Sequence, residues 1–270
     1  MREFIKSIGT ILPEIPKPEK KPGLNERFVW TGLALIAYLI MATTPLYGLG
    51  GSSRQEDQLA FLRVVFASTS SVYGNAEAYP TPEDARPRPV SPYGVTKLSC
   101  EHLAQTYAEC FELDVVRLRY FTVYGPRQRP DMAFSRIIAA LADGTPFPLF
   151  GTGAQSRDFT YVKDAVAGTM AAMRRGPSGR VYNIGGGTEA TMREAIELCE
   201  RLDGRRLDVR EQPQATGDVR RTSADTSLIR EELGWQPRTS LAEGLVAQIE
   251  NSRTRADNVS TDPRITARVD

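Results

Sequence analysis

Histidine is almost missing: His102 is the only one in 270 residues. Histidine-rich metal centres are thereby excluded, and a His-based triad would rest on one residue flanked by Glu101 and Leu103 in a helical pattern. A surface or half-buried side chain is the simpler reading there. Cysteine is also scarce. Cys100, Cys110 and Cys199 are odd in number and form no Cys-x-x-Cys, which argues against a disulfide framework and for small thiols in a reducing compartment. Charge of one sign is lacking too: the net charge is +1, so nothing in the total points to nucleic acid or an acidic partner. No metal site is expected.

What is present falls into unequal stretches. Residues 1–27 are polar, basic and proline-rich, and no residue from Phe28 to Ser53 is charged. Within that run "FVWTGLALIAYLIMATTPLY" has about the 20 residues that a membrane helix needs, with Trp30, Tyr38 and Tyr47 of the kind found at membrane interfaces. An apolar, transmembrane-like helix is expected over 28–47. From residue 63 the character changes. "RVVFAS" and "LDVVRLRYF" read as strands of a buried parallel sheet. Between them "SPYGVTKLSCEHLAQTYAECFEL" reads as a helix with Ser91 as N-cap and Pro92 in its first position. Helices near "AFSRIIAALADG", "VKDAVAGTMAAMRR" and "TMREAIELCERL" alternate with strands in "RDFTYV" and "RVYNIGG". That order predicts an α/β fold. Residues 251–270 are polar and aperiodic, and are expected to be disordered.

Chemistry concentrates in "SPYGVTK". Tyr93 and Lys97 are four apart and share a helix face. A free tyrosine is a poor base at neutral pH, but a neighbouring ammonium and a cationic nicotinamide ring both favour the phenolate. Alone, Tyr-x-x-x-Lys is a frequent coincidence of helices. Its surroundings raise its weight. Thr69, Ser70 and Ser71 follow the strand "RVVFA" at its carboxyl end, where open α/β sheets bind ligands. Arg127 and Arg129 flank the Gly-Pro turn region of "RYFTVYGPRQRPDMA", and Arg157 follows a glycine-rich turn, as a diphosphate contact would.

Two resemblances follow from these motifs. "LPEIPKPEKKPGLNERFVWTGLALIAYLIMATTPLYGL" resembles the amino-terminal segment and first transmembrane helix of archaeal SecY-type translocon channel subunits, and "QEDQLAFLRVVFASTS" is similar to the plug helix that follows. This makes 1–62 a translocon-like segment. "VVFASTSSVYG", "SPYGVTK", "LRYFTVYGPRQRPDMA", "GTGAQSRDFTYVKD", "VYNIGGG" and "GDVRRTSAD" resemble, in order and spacing, the extended short-chain dehydrogenase/reductases. The likeness is greatest to nucleotide-sugar 4-epimerases acting on UDP-glucose or UDP-glucuronate, and it covers about 63–250. It implies a Rossmann-like three-layer NAD(P)-binding sandwich, truncated here, from about 63–125 and 158–186. A small α/β substrate domain is implied from about 126–157 and 187–250.

Carried over by motif, Thr69 matches the residue that hydrogen-bonds the sugar 4-hydroxyl, Tyr93 the catalytic base, and Lys97 the lysine that holds the nicotinamide ribose and tunes the tyrosine. Tyr120 and Phe121 match positions lining the nicotinamide pocket. Ser70, Thr122, Arg129, Arg157 and Asp218 match substrate contacts: Arg157 meets the diphosphate, Asp218 lies near the nucleotide, and Thr122 with Arg129 resembles the glucuronate epimerases. The implied cofactor is NAD, the substrate a UDP-sugar, the compartment the cytoplasm and the assembly a homodimer. In the implied reaction NAD+ takes hydride from C4, the 4-keto sugar turns about its diphosphate, and hydride returns to the other face. A 4,6-dehydratase is the alternative, disfavoured because Ser70-Ser71 stands where dehydratases carry Asp-Glu.

The sequence departs from this family at its start. It has no Gly-x-x-Gly-x-x-Gly turn ahead of Thr69; "YGLGGSS" is the only glycine cluster there and reads as a loop. The helix before "RVVFAS", half of the implied dimer interface, is missing as well. Basic residues Lys17, Lys20, Lys21 and Arg27 precede the apolar run, so a single span would send the enzymatic part away from cytosolic substrates. These conflicts lead to the expectation of a fusion within residues 60–75 and of impaired activity, with a non-catalytic nucleotide-sugar binder or membrane fragment as the rival reading.

Overall fold

A computed structural model describes residues 63–214 and 217–260. The translocon-like segment 1–62, with its apolar helix at 28–47, lies outside the described residues. Among the described residues no helix is long and apolar enough to cross a membrane.

The first strand, β1 (Val64–Thr69), ends in a single 3-10 turn at Ser70–Val72. The next element is α1 (Pro92–Phe111), which starts where the sequence predicts. Ser91 accepts a hydrogen bond from the Gly94 amide, and Pro92 occupies the first turn, where its missing N–H costs nothing. Strand β2 (Val115–Tyr120) lies parallel to β1, and β6 (Val181–Ile184) lies parallel to β2 on its other side, giving a sheet of order β1-β2-β6. Strand alternation sorts its faces. Arg117 and Arg119 of β2 reach α1 residues. Val116 and Leu118 pack instead with Ala165 and Ala172 of α3 (Val162–Arg175) and with Ile229 of α5 (Ser227–Leu233). Helix, parallel sheet and helices thus form three layers, as a Rossmann-like fold requires.

The remaining elements build a second region. Strand β3 (Thr122–Tyr124) runs parallel to β5 (Ser156–Tyr161), which runs antiparallel to β7 (Thr188–Thr191). Strands β4 (Phe147–Phe150) and β8 (Val209–Gln212) form a separate parallel pair. Helices α2 (Ala133–Asp143), α4 (Met192–Asp203) and α6 (Leu241–Ser260) enclose a core centred on Tyr124, Phe134, Phe159 and Leu245. The β3-β5-β7 sheet joins strands expected in the two different domains.

The tail also differs from expectation. Residues 251–260 continue α6 rather than lacking structure, while 261–270 lie outside the described residues. A reciprocal Ser240–Glu243 capping box opens that helix. Leu245, Gln248 and Ile249 are buried on one face, and Arg253 pairs with Asp203 of α4 at 2.7 Å.

Candidate active site

The end of β1 delivers the hydroxyls. Thr69 Oγ1 accepts from the Ser71 amide and lies 3.2 Å from Ser71 Oγ, so the 3-10 turn holds Thr69, Ser70 and Ser71 together. The start of α1 comes very close to this turn. A Cβ on Gly94 would stand 2.7 Å from the Ser71 carbonyl oxygen, an approach that the glycine hydrogen permits. The contact brings Tyr93 close to Thr69, whose hydroxyl favours the phenolate.

Electrostatics at Tyr93 differ from the expectation. The phenol sits above its ordinary pKa because partial desolvation of this half-exposed side chain outweighs two opposing influences, the nearby Thr69 hydroxyl and the Arg129 charge. Lys97 is not among the groups that pull it down. Its ammonium donates to the Ala67 carbonyl at 2.8 Å and lies 5.9 Å from the centre of the Tyr93 ring, so it faces the ring rather than the oxygen. Burial also holds the Lys97 amine below its usual value.

Beside the hydroxyl turn lies a cleft of about 160 Å³ lined by Ser70, Ser71, Thr122, Arg157, Asp218 and neighbours. Four of the predicted substrate contacts therefore meet. Within the cleft Arg157, mostly buried, forms an ion pair with Asp218 and donates to the Ser156 carbonyl at 2.7 Å. Arg129 is not in the lining: it is exposed, binds Asp131 at 2.9 Å and acts on Tyr93 through its charge. Arg127 lines a different cleft with Gln128, Gln248 and Arg255. Tyr120 and Phe121 do not form one open wall. The Tyr120 hydroxyl is 2.6 Å from Thr169 Oγ1 on α3. Phe121 is buried with Val72, Tyr73 and Ala224, because Gly185 lets its ring pack directly under the backbone.

Sequence reasoning missed the polar layer beneath the site. Glu101 of α1 is buried and receives Arg119 of β2 through three contacts of 2.7–3.2 Å, with the Ser68 hydroxyl donating as well. Arg119 also donates to the Tyr73 hydroxyl at 2.9 Å, and that hydroxyl donates to Asn183 Oδ1 at 2.7 Å. Burial pushes the Tyr73 phenol up to about 12, against the pull of Arg119. A second buried carboxylate, Asp158 of β5, accepts from the amides of Gly186 (2.8–2.9 Å) and Ala224 (2.8 Å). Burial still holds its pKa above the usual range. One signal was available: charged Arg117 and Arg119 alternate inside the otherwise apolar run "VVRLRY", which demands buried partners.

Comparison with known proteins adds to this geometry. The model of a family described as "NAD dependent epimerase/dehydratase family" matches residues 36–185. The match begins inside the apolar stretch expected at 28–47 and ahead of residue 63, where the motifs placed the boundary. The uncharacterized UDP-glucose epimerase YtcB of Bacillus subtilis is 44% identical over 186 residues, 68% of this chain and 58% of that protein. UDP-glucuronate 4-epimerase of Thermodesulfobacterium geofontis is 38% identical over 202 residues, 74% of this chain and 62% of that protein. A crystal structure of UDP-glucuronic acid 4-epimerase from Bacillus cereus, in complex with UDP-glucuronic acid and NAD, superimposes with a TM-score of 0.68 at 42% identity. It covers 71% of this chain and 61% of that one. The chain thus spans somewhat less than two thirds of the relatives it matches.

Proposed function

Because the chain belongs to the NAD-dependent epimerase/dehydratase family, we propose that its site interconverts C4 epimers of a UDP-sugar, with UDP-glucuronate and UDP-galacturonate ahead of UDP-glucose and UDP-galactose. One observation carries the reading: Tyr93 and Thr69 come together at the tip of β1, close enough for Thr69 to favour the phenolate, next to the cleft that Arg157 lines. A sugar 4-hydroxyl placed between Thr69 and Tyr93 loses its proton to the phenolate of Tyr93 and regains it there. Arg157 binds the diphosphate, with Asp218 orienting the guanidinium. Ser70 and Thr122 meet the sugar. Arg129, whose charge already acts on Tyr93, suits a sugar carboxylate better than a hydroxyl.

NAD+, when bound, would take up and return hydride at the sugar C4. The residues present fit its nicotinamide half. Lys97 uses one of its three N–H groups on Ala67 and keeps two for ribose hydroxyls, while Tyr120 and Phe121 were matched to the ring pocket by sequence alone. For the pyrophosphate half the sequence offers no Gly-x-x-Gly-x-x-Gly turn. Turnover by this chain is therefore proposed to be impaired. Cytoplasmic action and a homodimer complete the proposal; exposed Val95, Leu103 and Phe111 on α1 support the second, and sedimentation velocity tests it.

The test incubates the full chain with NAD+ and UDP-glucuronate and looks for UDP-galacturonate by NMR, with NAD+ and UDP binding measured separately. Product formation supports the reading. UDP binding with neither NAD+ binding nor product reduces the chain to a binding module. A fusion within residues 60–75 is a separate proposal; the uncharged run from Phe28 to Ser53 favours it, and the family match, which already begins at residue 36, counts against it. A single-molecule read across those codons in an unbroken natural gene would refute it.

A further inference from the structure

We infer that Glu101 is the positioning residue for the Tyr93–Thr69 pair, fixing the register of α1 against β1; the inference rests on the reading of Tyr93 as the group that accepts the substrate proton. Tyr93, Lys97 and Glu101 are spaced by four and lie along one side of α1. Each meets the carboxyl end of β1. The Tyr93 phenol lies near enough to Thr69 for that hydroxyl to favour the phenolate, Lys97 donates to the Ala67 carbonyl at 2.8 Å, and Glu101 accepts from the Ser68 hydroxyl. Only the last of these anchors is sealed from water: Glu101 is 2% exposed and Tyr93 51%.

Two features make Glu101 more than a buried counter-ion. First, Gly94 and Glu101 are the only buried residues of α1. Apolar packing is non-directional, and this helix has little of it to set where it stops along its own axis. A carboxylate with fixed donors is directional. Second, those donors are themselves held. Arg119 grips Glu101 with Nε and Nη2 while its Nη1 donates to the Tyr73 hydroxyl at 2.9 Å and the Glu83 carbonyl at 2.8 Å. Asn183 Nδ2 then donates to the carbonyls of Thr81 and Asp225. Stability alone does not require this arrangement, because buried ion pairs are often replaceable by apolar residues without loss. The geometry of the active pair does require it: Ser68 precedes Thr69, and Glu101 lies two turns along from Tyr93.

The experiment uses the full chain labelled with 3-fluorotyrosine, with the Tyr93 fluorine resonance assigned through Tyr93→Phe. Ser68→Ala removes the link to β1 and leaves the Arg119 pair intact; Glu101→Asp keeps the charge and shortens the reach. Epimerisation of UDP-glucuronate with NAD+ is measured alongside Tm. For Ser68→Ala the expected result is a near-native Tm, a KM within about threefold of wild type and kcat lower by about tenfold or more. The Tyr93 resonance should shift and its titration midpoint rise, since Thr69, whose proximity favours the phenolate, moves away from the ring. A folded Ser68→Ala with wild-type kcat and an unmoved Tyr93 resonance overturns the inference, as does a kcat loss that merely tracks the unfolded fraction. If Glu101→Asp fails to fold, Ser68→Ala alone decides. If the wild type yields no product, the enzymatic reading fails on its own, and the fluorine signal still decides whether Glu101 sets the position of Tyr93.

Discussion

Replacing Arg157 by methionine tests the substrate end of the site without touching the proton-transfer pair. A guanidinium offers five N–H donors. In the free protein one goes to the Ser156 carbonyl at 2.7 Å and one to Asp218, which leaves three for an incoming anion. A diphosphate can thus be received with Asp218 still in place. One net hydrogen bond to a charged group contributes about 1.5–3 kcal/mol, and about 1.4 kcal/mol is a tenfold change in affinity. Arg157→Met should therefore weaken UDP binding by about 10- to 150-fold. The fold should barely respond, because the Asp218 left behind is 33% exposed and can hydrate; such partly exposed pairs contribute about 1 kcal/mol or less. Calorimetric titration with UDP alone needs neither cofactor nor turnover. Raising the ionic strength should weaken wild-type binding more than that of the variant. A loss of less than about threefold, with the variant folded, would refute the placement of the diphosphate at Arg157.

Tyr93→Phe should lower turnover by about 10²–10⁴-fold while leaving UDP affinity intact. In the wild type kcat/KM should climb with pH through neutrality, because the phenol's raised pKa keeps most of the base protonated; a flat profile would count against Tyr93. Asp158→Asn probes a carboxyl whose folded pKa lies above its unfolded one. Such a group contributes stability below its unfolded value of about 3.9 and loses that contribution as pH rises through the folded value. Wild-type Tm relative to the variant should therefore fall with rising pH, and a difference that grows would contradict the assignment. A double-mutant cycle on Tyr73→Phe and Asp158→Asn, read by urea denaturation, should give a coupling of about 0.5 kcal/mol or more; strict additivity would mean that the two buried networks are independent.

Local signals were legible in the sequence where they were strong. The β-branched runs gave β1 and β2 their places, and Ser91-Pro92 marked the start of α1 to the residue. Strands β4, β7 and β8 have four residues each and escaped notice, because such short segments show no usable period. Helix α6 was not read from the sequence at all, and the polar composition of its second half looked like a disordered tail. In the site, the shared side of Tyr93 and Lys97 followed from helical spacing, while the meeting of Ser70, Thr122, Arg157 and Asp218 was implied only by family resemblance. The layer beneath was out of reach. Tyr73 and Asn183 are 110 positions apart, and no periodicity links residues that only the folded sheet brings together.

The two buried carboxylates stabilise opposite halves of the site by different physics. Glu101 faces the full charge of Arg119 on the side that carries Tyr93 and Thr69. Asp158 is met by backbone dipoles from Gly186 and Ala224 and by the Thr160 hydroxyl, and among the described residues no cation is a hydrogen-bond partner, which is why burial dominates its titration. Its strand carries Arg157, and the segment it grips leads back to Asp218. The halves share a base. Asn183, the end of the Glu101 chain of contacts, donates to the carbonyl of Asp225, and Asp158 accepts from the amide of Ala224. Consecutive residues are thus held by the two networks, and the double-mutant cycle on Tyr73 and Asp158 tests whether this stretch of backbone couples them. Apolar packing at that stretch would transmit size, but not direction. On the proposed reading, directed hydrogen bonds on both sides would keep the sugar end and the diphosphate end of the site in one frame.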